Sequence, residues 1–476
     1  MTHRYTFSLL LLFFLSGLRA EVLPNPVMLN FEVKGMPDGF CRIIGMTGNN
    51  NYLVDSLECK NGKALYLSSN LLSPGLFYFV LPDEQTYFQF LLDKDQQIEM
   101  KTDIADINGH MKVTGSEDNE LLYENLEFEN TFRKRFDSVD QQIKFFEKQL
   151  YKPDLPKLEA LRDQLIKDRK AYLESLAKNH PNSFFTQFKL AGQNPDLQYP
   201  KKSDGTLDTM QQSYLYRAAY FKNTNLADEK LLRTPVVVNK LKTYITQLIP
   251  QNPDSIIKYM VPLIEQSKPC SECFKFIVNW LAIQFEKPSM MGGEKVMVYL
   301  IDNYFTDAYA KPWFKDNPYE LVKIRLRADN MRPSMLGQTG QDLRAKNLNG
   351  VYENVYDLKT PIKIVFLYDP DCEHCQKEAP EMAELLKKWQ GKIDIYALSL
   401  DKDEQKWREF IPKYHTEGFH NVFDPNMESL YYKKYYIDIT PEIYVLDPNN
   451  KSVAKDLHPN QLDDIFRLVL DKAGIH

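Results

Sequence analysis

The chain has 476 residues, 43% hydrophobic and 26% charged, the balance of a folded protein of about three domains rather than of a disordered chain. Its formal net charge of −6 supplies no global basic field, which argues against nucleic acid and anionic membrane as partners. Six cysteines are few enough that each pair can be weighed by itself.

In chain order, the first segment is Met1-Thr2-His3-Arg4, an apolar run over 9–15, and then Ser16-Gly17-Leu18-Arg19-Ala20. This is the three-part layout of a secretory signal. The apolar run is well short of the roughly 20 residues of a spanning helix. A signal over 1–20 is therefore expected, cleaved after Ala20, with no stable membrane span afterwards. No cysteine lies near the junction to carry a lipid. Export would bring the six cysteines into an oxidising compartment, as structural disulfides or as a redox pair that must be held reduced.

From about 28 to 116, short alternating runs at 30–33, 42–44, 64–67, 76–80 and 87–92 are broken by Gly, Pro, Asn and Asp, which predicts an antiparallel β domain over 21–118. Cys41 and Cys59 fall in it. A disulfide between them would contribute about 3 kcal/mol on the chain-entropy account, and two free buried thiols fit the sequence nearly as well. Beyond Gly115-Ser116 the period changes, and segments 120–150, 155–179, 236–249, 255–266, 270–285 and 294–304 read as helices of an all-α domain over 119–335. The polar stretch 194–208 reads as a loop. The aromatic cluster Tyr304, Phe305, Tyr309, Trp313 and Phe314 reads as packing. Cys270-Ser271-Glu272-Cys273 is a Cys-x-x-Cys at a possible helix start, open to a local disulfide, inert thiols or a second functional dithiol.

After a polar boundary at 333–340, the last 140 or so residues, 336–476, alternate strand and helix, the pattern of an α/β layer structure. The predicted elements are a strand at 362–368, a helix at 372–389, a strand at 393–400, a helix near 404–414, a strand at 422–423, a helix around 427–435, a strand at 442–446 and a terminal helix at 462–472. Asp447-Pro448-Asn449-Asn450 suggests a closing hairpin with an edge strand at 452–454. The fold class expected for the whole chain is thus multidomain: an antiparallel β domain, an all-α domain and a C-terminal α/β domain.

Within the last domain, Cys372-Glu373-His374-Cys375 lies between a buried strand and an amphipathic helix, with Asp369-Pro370-Asp371 as turn and N-cap. The unpaired N–H groups and positive dipole end of a helix favour a thiolate at Cys372, with a pKa in the range of roughly 3.5–7.5 known for such motifs. Cys375, on the same helical face, is placed to resolve a mixed disulfide. A structural disulfide, or a zinc site shared with Cys270 and Cys273, is the competing reading of the two cysteines. His374 is a candidate to tune the thiolate, while Asp369, Asp371 and Glu373 push the other way.

These residues, with Ile439-Thr440-Pro441 before a strand, resemble the thioredoxin fold, and within it the exported TlpA- and ResA-like thiol–disulfide oxidoreductases. The likeness spans roughly 337–476. Pro380 stands where the family's active-site helix has its proline. The resemblance implies that Pro441 after Thr440 is the cis-proline of a substrate-facing loop, and that Glu378 is the proton shuttle under the dithiol. Asp371 replaces the tryptophan and Phe366 the strand aspartate of general thioredoxins. The full layout resembles modular exported proteins of Bacteroidetes-type bacteria and implies a periplasmic setting. The implied catalytic residues are Cys372, Cys375 and Glu378, the partners are disulfide-containing exported proteins and a membrane redox donor, and the chemistry asks for no cofactor or metal. Two rivals remain: a binding or adaptor protein with a vestigial redox domain, and a peroxiredoxin, whose threonine before the reactive cysteine is replaced here by Asp369-Pro370-Asp371.

Overall fold

The computed structural model describes residues 27–149, 154–287 and 290–475. The expected signal segment and its cleavage point lie outside them. The chain divides into two compact units, one reaching to Asn194 and including Lys230–Asn239, the other formed by Pro195–Glu229 and Lys240–His476.

In the first unit, β1 (Val27–Lys34), β2 (Gly39–Thr47), β3 (Asn50–Cys59), β4 (Lys63–Ser68), β5 (Gly75–Val80), β6 (Tyr87–Leu92), β7 (Gln97–Asp103) and β8 (Lys112–Thr114) form two four-stranded sheets, ordered β4-β1-β7-β8 and β3-β2-β5-β6. Val27, Leu29, Phe31 and Val33 point inward at period two. Phe31 of one sheet stacks on Phe79 of the other at 4.1 Å and meets Phe88 and Phe90 edge-on. The sheets are not wholly antiparallel as the runs suggested: β1 and β7 pair in parallel. Parallel neighbours need a long crossover, and the intervening strands supply it. Strand β3 escaped prediction because it is an edge strand, exposed along most of its length, so no buried alternation marks it. Cys41 and Cys59 are joined in a disulfide across β2 and β3.

Helices α1 (Glu117–Glu147), α2 (Leu155–Asn179) and α3 (Phe184–Ala191) complete this unit, and α1 is tied to the sheet by its first turns. Ser116 caps it. The Asn119 side chain accepts the Leu91 N–H and donates to the Leu91 carbonyl, each at 2.7 Å, and the Tyr123 hydroxyl donates to Gln89 O at 2.8 Å. Strand β6 is a sheet edge, and these side chains satisfy the polar groups it would otherwise leave bare.

Helices α4 (Thr209–Ala219), α5 (Glu229–Leu232), α6 (Val236–Thr243), α7 (Pro253–Ser267), α8 (Ser271–Gln284), α9 (Glu294–Tyr304) and α10 (Pro318–Met331) follow. The helical stretch expected as one domain over 119–335 is therefore shared: α1–α3 go with the β strands, and α7–α10 with the C-terminal domain.

That domain contains β9 (Arg344–Asn347), β10 (Tyr352–Asn354), β11 (Ile362–Tyr368), α11 (Glu373–Lys388), β12 (Ile393–Ser399), α12 (Glu404–Lys413), β13 (His420–Phe423), α13 (Tyr431–Lys434), β14 (Glu442–Leu446), β15 (Ser452–Lys455) and α14 (Leu462–Ala473). Its sheet runs β10-β9-β13-β12-β11-β14-β15, with β11, β12 and β13 parallel. Every residue of β11 is buried. Ile362, Ile364, Phe366 and Tyr368 face a core shared with α11, α12 and α14, while Val365 and Leu367 face a second core with Tyr435 and Tyr444. A strand covered on both faces reads as a continuous apolar run, as this one does. The helical region closes on the second face: Ser334 Oγ accepts the Tyr436 N–H at 3.0 Å, and buried Lys455 lies 3.4 Å from buried Glu294 of α9. Helix α13 is much shorter than the predicted 427–435. Met427 and Leu430 both adopt left-handed backbone, with φ 57°, and the Asp424 carboxylate takes the N–H groups of Glu428 and Ser429, so the chain turns where a helix was expected.

The Cys41–Cys59 cross-link spans 18 residues. Replacing both cysteines with alanine should lower the stability of the first unit by about 3 kcal/mol in chemical denaturation. An unchanged denaturation midpoint would contradict that role.

Candidate active site

β11 delivers the chain to the site. Just beyond it, the Asp369 carboxylate accepts the Asp371 N–H at 2.9 Å and the Asp369 carbonyl accepts the Cys372 N–H at 3.1 Å, a tight turn. The N-cap falls one residue later than the sequence suggested, on Cys372 itself, with φ −76° and ψ 122°, and the Asp371 carboxylate pairs with Lys406 instead. α11 then begins at Glu373. Gln376 Nε2 donates to Pro370 O at 2.8 Å and pins the turn from the helix side.

The two sulfurs of this helix start sit in different surroundings. Cys372 is partly exposed, and Cys375 is sealed in the core with Phe366, Tyr368, Ala379 and Met382. Burial opposes ionisation of Cys372, but the Thr440 side chain, the N–H groups of Cys375 and His374 and the Cys375 thiol outweigh it by hydrogen bonding. Its pKa lies below the ordinary thiol value. Burial, with Cys372 as neighbour, pushes the Cys375 thiol far up. The ring of His374 is exposed, and this residue supports Cys372 through its backbone N–H. Of the opposing acids, Asp371 is paired with Lys406 of α12, which also lies near Asp401.

The Thr440–Pro441 peptide is cis, and the Cys372 thiol donates to the Thr440 carbonyl oxygen, 3.2 Å away. A loop separated by 68 residues in sequence is thereby brought against the dithiol. Glu378 is 8% exposed, and its Oε1 lies 2.7 Å from Nδ1 of His458. His458 was not anticipated: it is 80 residues away, and its place before Pro459 marks a helix start without naming a partner. Glu442, next to Pro441, was also missed. It is 4% exposed, and burial followed by the nearby Asp456 carboxyl raises its pKa, favouring the neutral acid.

Residues 361–452 match a family described as thioredoxin-like. The C-terminal domain is thioredoxin-like. A curated relative, the thioredoxin-like protein YneN of Bacillus subtilis (strain 168), is 25% identical over 127 residues, which cover 26% of this chain and 70% of the relative. Among solved structures, a domain of a possible thiol-disulfide isomerase from Cytophaga hutchinsonii is 29% identical, with a TM-score of 0.28, over 29% of this chain and 96% of that one. A thioredoxin-like protein from Bacteroides caccae is 14% identical, with a TM-score of 0.47, over 58% and 99%. Residues 28–122 match a domain of unknown function, DUF4369. The thioredoxin-like domain therefore contains the dithiol, the cis peptide and Glu442, while Glu378's partner His458 lies just past the matched span.

Thr440→Val removes a hydrogen bond that favours the Cys372 thiolate. The midpoint of the alkylation rate against pH should move upward in this variant. A midpoint equal to that of the parent protein would show that the hydroxyl does not act on the sulfur.

Proposed function

We propose that this chain is an exported, periplasmic thiol–disulfide oxidoreductase that reduces or exchanges disulfides in exported client proteins. One observation carries the reading: a partly exposed thiol with a lowered pKa stands beside a buried thiol with a raised one, and both adjoin a cis Thr–Pro loop. The thiolate is the attacking species in exchange, so the exposed sulfur is the one equipped to begin. The signal-like layout of residues 1–20 supports export, and among the described residues no helix is long and apolar enough to cross a membrane.

In this account Cys372 Sγ attacks one sulfur of a client disulfide, forming a mixed disulfide and releasing the other client sulfur as a thiolate, which takes up a proton. Cys375 then attacks Cys372 Sγ. Its proton passes to Glu378, the Cys372–Cys375 bond forms, and the second client sulfur leaves. The client gains two electrons and the dithiol loses two. A membrane redox donor would return the protein to the dithiol state. Glu378 suits the proton step by its place one turn after Cys375, its burial and its imidazole partner, through which a proton can reach solvent. Thr440 and Pro441 would face the client backbone, and the His374 N–H would support the attacking sulfur.

The test replaces Cys375 with alanine. Disulfide-linked partners should accumulate on Cys372 and vanish on adding dithiothreitol. If no partner is trapped and the parent protein does not reduce insulin, the proposal fails. Glu378→Gln should slow resolution of a preformed mixed disulfide by about a hundredfold or more, the range of general acid–base catalysis, while initial attack by Cys372 keeps its rate. Equal slowing of both steps would assign Glu378 a structural role instead.

A further inference from the structure

The second Cys-x-x-Cys of the chain repeats the asymmetry of the first. Cys270 takes the N-cap of α8 with φ −110° and ψ 111°, as Cys372 takes that of α11, both in extended backbone immediately before a helix. In each motif the second cysteine is buried, Cys273 at 1% exposure and Cys375 at 0%, while the first is partly exposed. Cys270 Sγ accepts the Cys273 N–H at 3.1 Å, so it faces the unpaired donors at the positive end of a 14-residue helix. Such a sulfur is stabilised as a thiolate once its bond opens. Cys270 and Cys273 are joined in a disulfide with their Cα atoms 5.2 Å apart, whereas Cys372 and Cys375 are free.

A purely structural purpose explains this bond poorly. A cross-link stabilises chiefly by restricting the unfolded chain, and the restriction grows with the loop it closes. Cys41 and Cys59, 18 residues apart and both buried, have the character of such a link. Cys270 and Cys273 are only three apart, at the start of a helix that already brings them together. The end of α8 also has its own anchor, since the Phe274 ring meets Tyr304, Tyr309 and Trp313 edge-on at 5.2–6.1 Å. This is the aromatic cluster that the sequence suggested was packing.

We propose that Cys270–Cys273 is a second exchange-competent disulfide, a redox site separate from the Cys372–Cys375 dithiol, whose substrate is a protein dithiol. A thiolate of that dithiol attacks Cys270 Sγ, on the more exposed residue of the pair. The Cys270–Cys273 bond breaks, Cys273 leaves and takes a proton, and a mixed disulfide joins Cys270 to the partner. The partner's second thiol gives up its proton and attacks the partner sulfur of that mixed disulfide, expelling Cys270 as a thiolate at the helix start. The partner loses two electrons and becomes a disulfide, and Cys270 and Cys273 gain two.

The experiment uses the full chain with Cys372→Ser and Cys375→Ser, so that its outcome is independent of the first site. The native protein is incubated with reduced thioredoxin as the protein dithiol, then alkylated and mapped by mass spectrometry. Cys270 and Cys273 should be alkylated together in most chains while Cys41 and Cys59 remain bonded. If thioredoxin reduces Cys270–Cys273 only in a denaturant that also opens Cys41–Cys59 to its attack, the bond is structural and the proposal is overturned. A thioredoxin whose resolving cysteine is replaced should be captured on Cys270. Capture on Cys273 would overturn the assigned point of attack.

Discussion

Burial of one sulfur directly behind another is the constraint on which the thioredoxin-like domain is organised. Cys372 and Cys375 share one helix start and one set of backbone donors, yet their protons are held very differently. Each unit of pKa difference corresponds to about 1.4 kcal/mol between thiol and thiolate. The apolar core around Cys375 removes the stabilisation that water would give a thiolate there, and hydrogen bonds from Thr440 and from the first turn of α11 supply it at Cys372. In the proposed exchange, this difference would set the order of attack, with the outer sulfur as the first nucleophile and the inner one drawing on a base.

The rest of the domain maintains that difference. β11 must be buried on both faces for its end to hold the Asp369 turn in place, and α11 must pack against the same core to keep Cys375 dry. Next to the cis Thr440–Pro441 peptide, buried Glu442 lies near the Asp456 carboxyl, and buried Lys455 reaches both Asp456 and Glu294 of α9. The first unit has a separate economy, with its own aromatic core, its own disulfide and a sheet edge closed by Asn119 and Tyr123.

Much of this was legible in the sequence where chemistry is local. The strand, the turn and the Cys-x-x-Cys helix are short patterns with a fixed physical meaning, and the described elements match them to within a few residues, while the Thr-Pro position was implied only by the family resemblance. α2 and α9 have the predicted bounds because their apolar spacing is regular. What could not be read depends on distant partners. Nothing near Glu378 announces His458, and nothing near Asp371 announces Lys406, though that pairing bears on how far the acids oppose the thiolate. Edge strand β3 lacks a buried face, and the left-handed residues Met427 and Leu430 keep the chain out of helix until Tyr431, in a segment whose composition favours one. The contacts of Asn119, Tyr123, Glu294 and Ser334, single polar side chains, were equally hidden, since their targets lie in distant strands or in the loops beside them.

The central claim is the unequal reactivity of the two thiols, and brief alkylation of the fully reduced native protein measures it most directly. With iodoacetamide at a series of pH values and peptide-resolved detection, Cys372 should react first, with a midpoint below that of an ordinary thiol, while Cys375 stays protected. Reaction of Cys375 as fast as Cys372, or ionisation of Cys372 at or above the ordinary thiol value, would contradict the account.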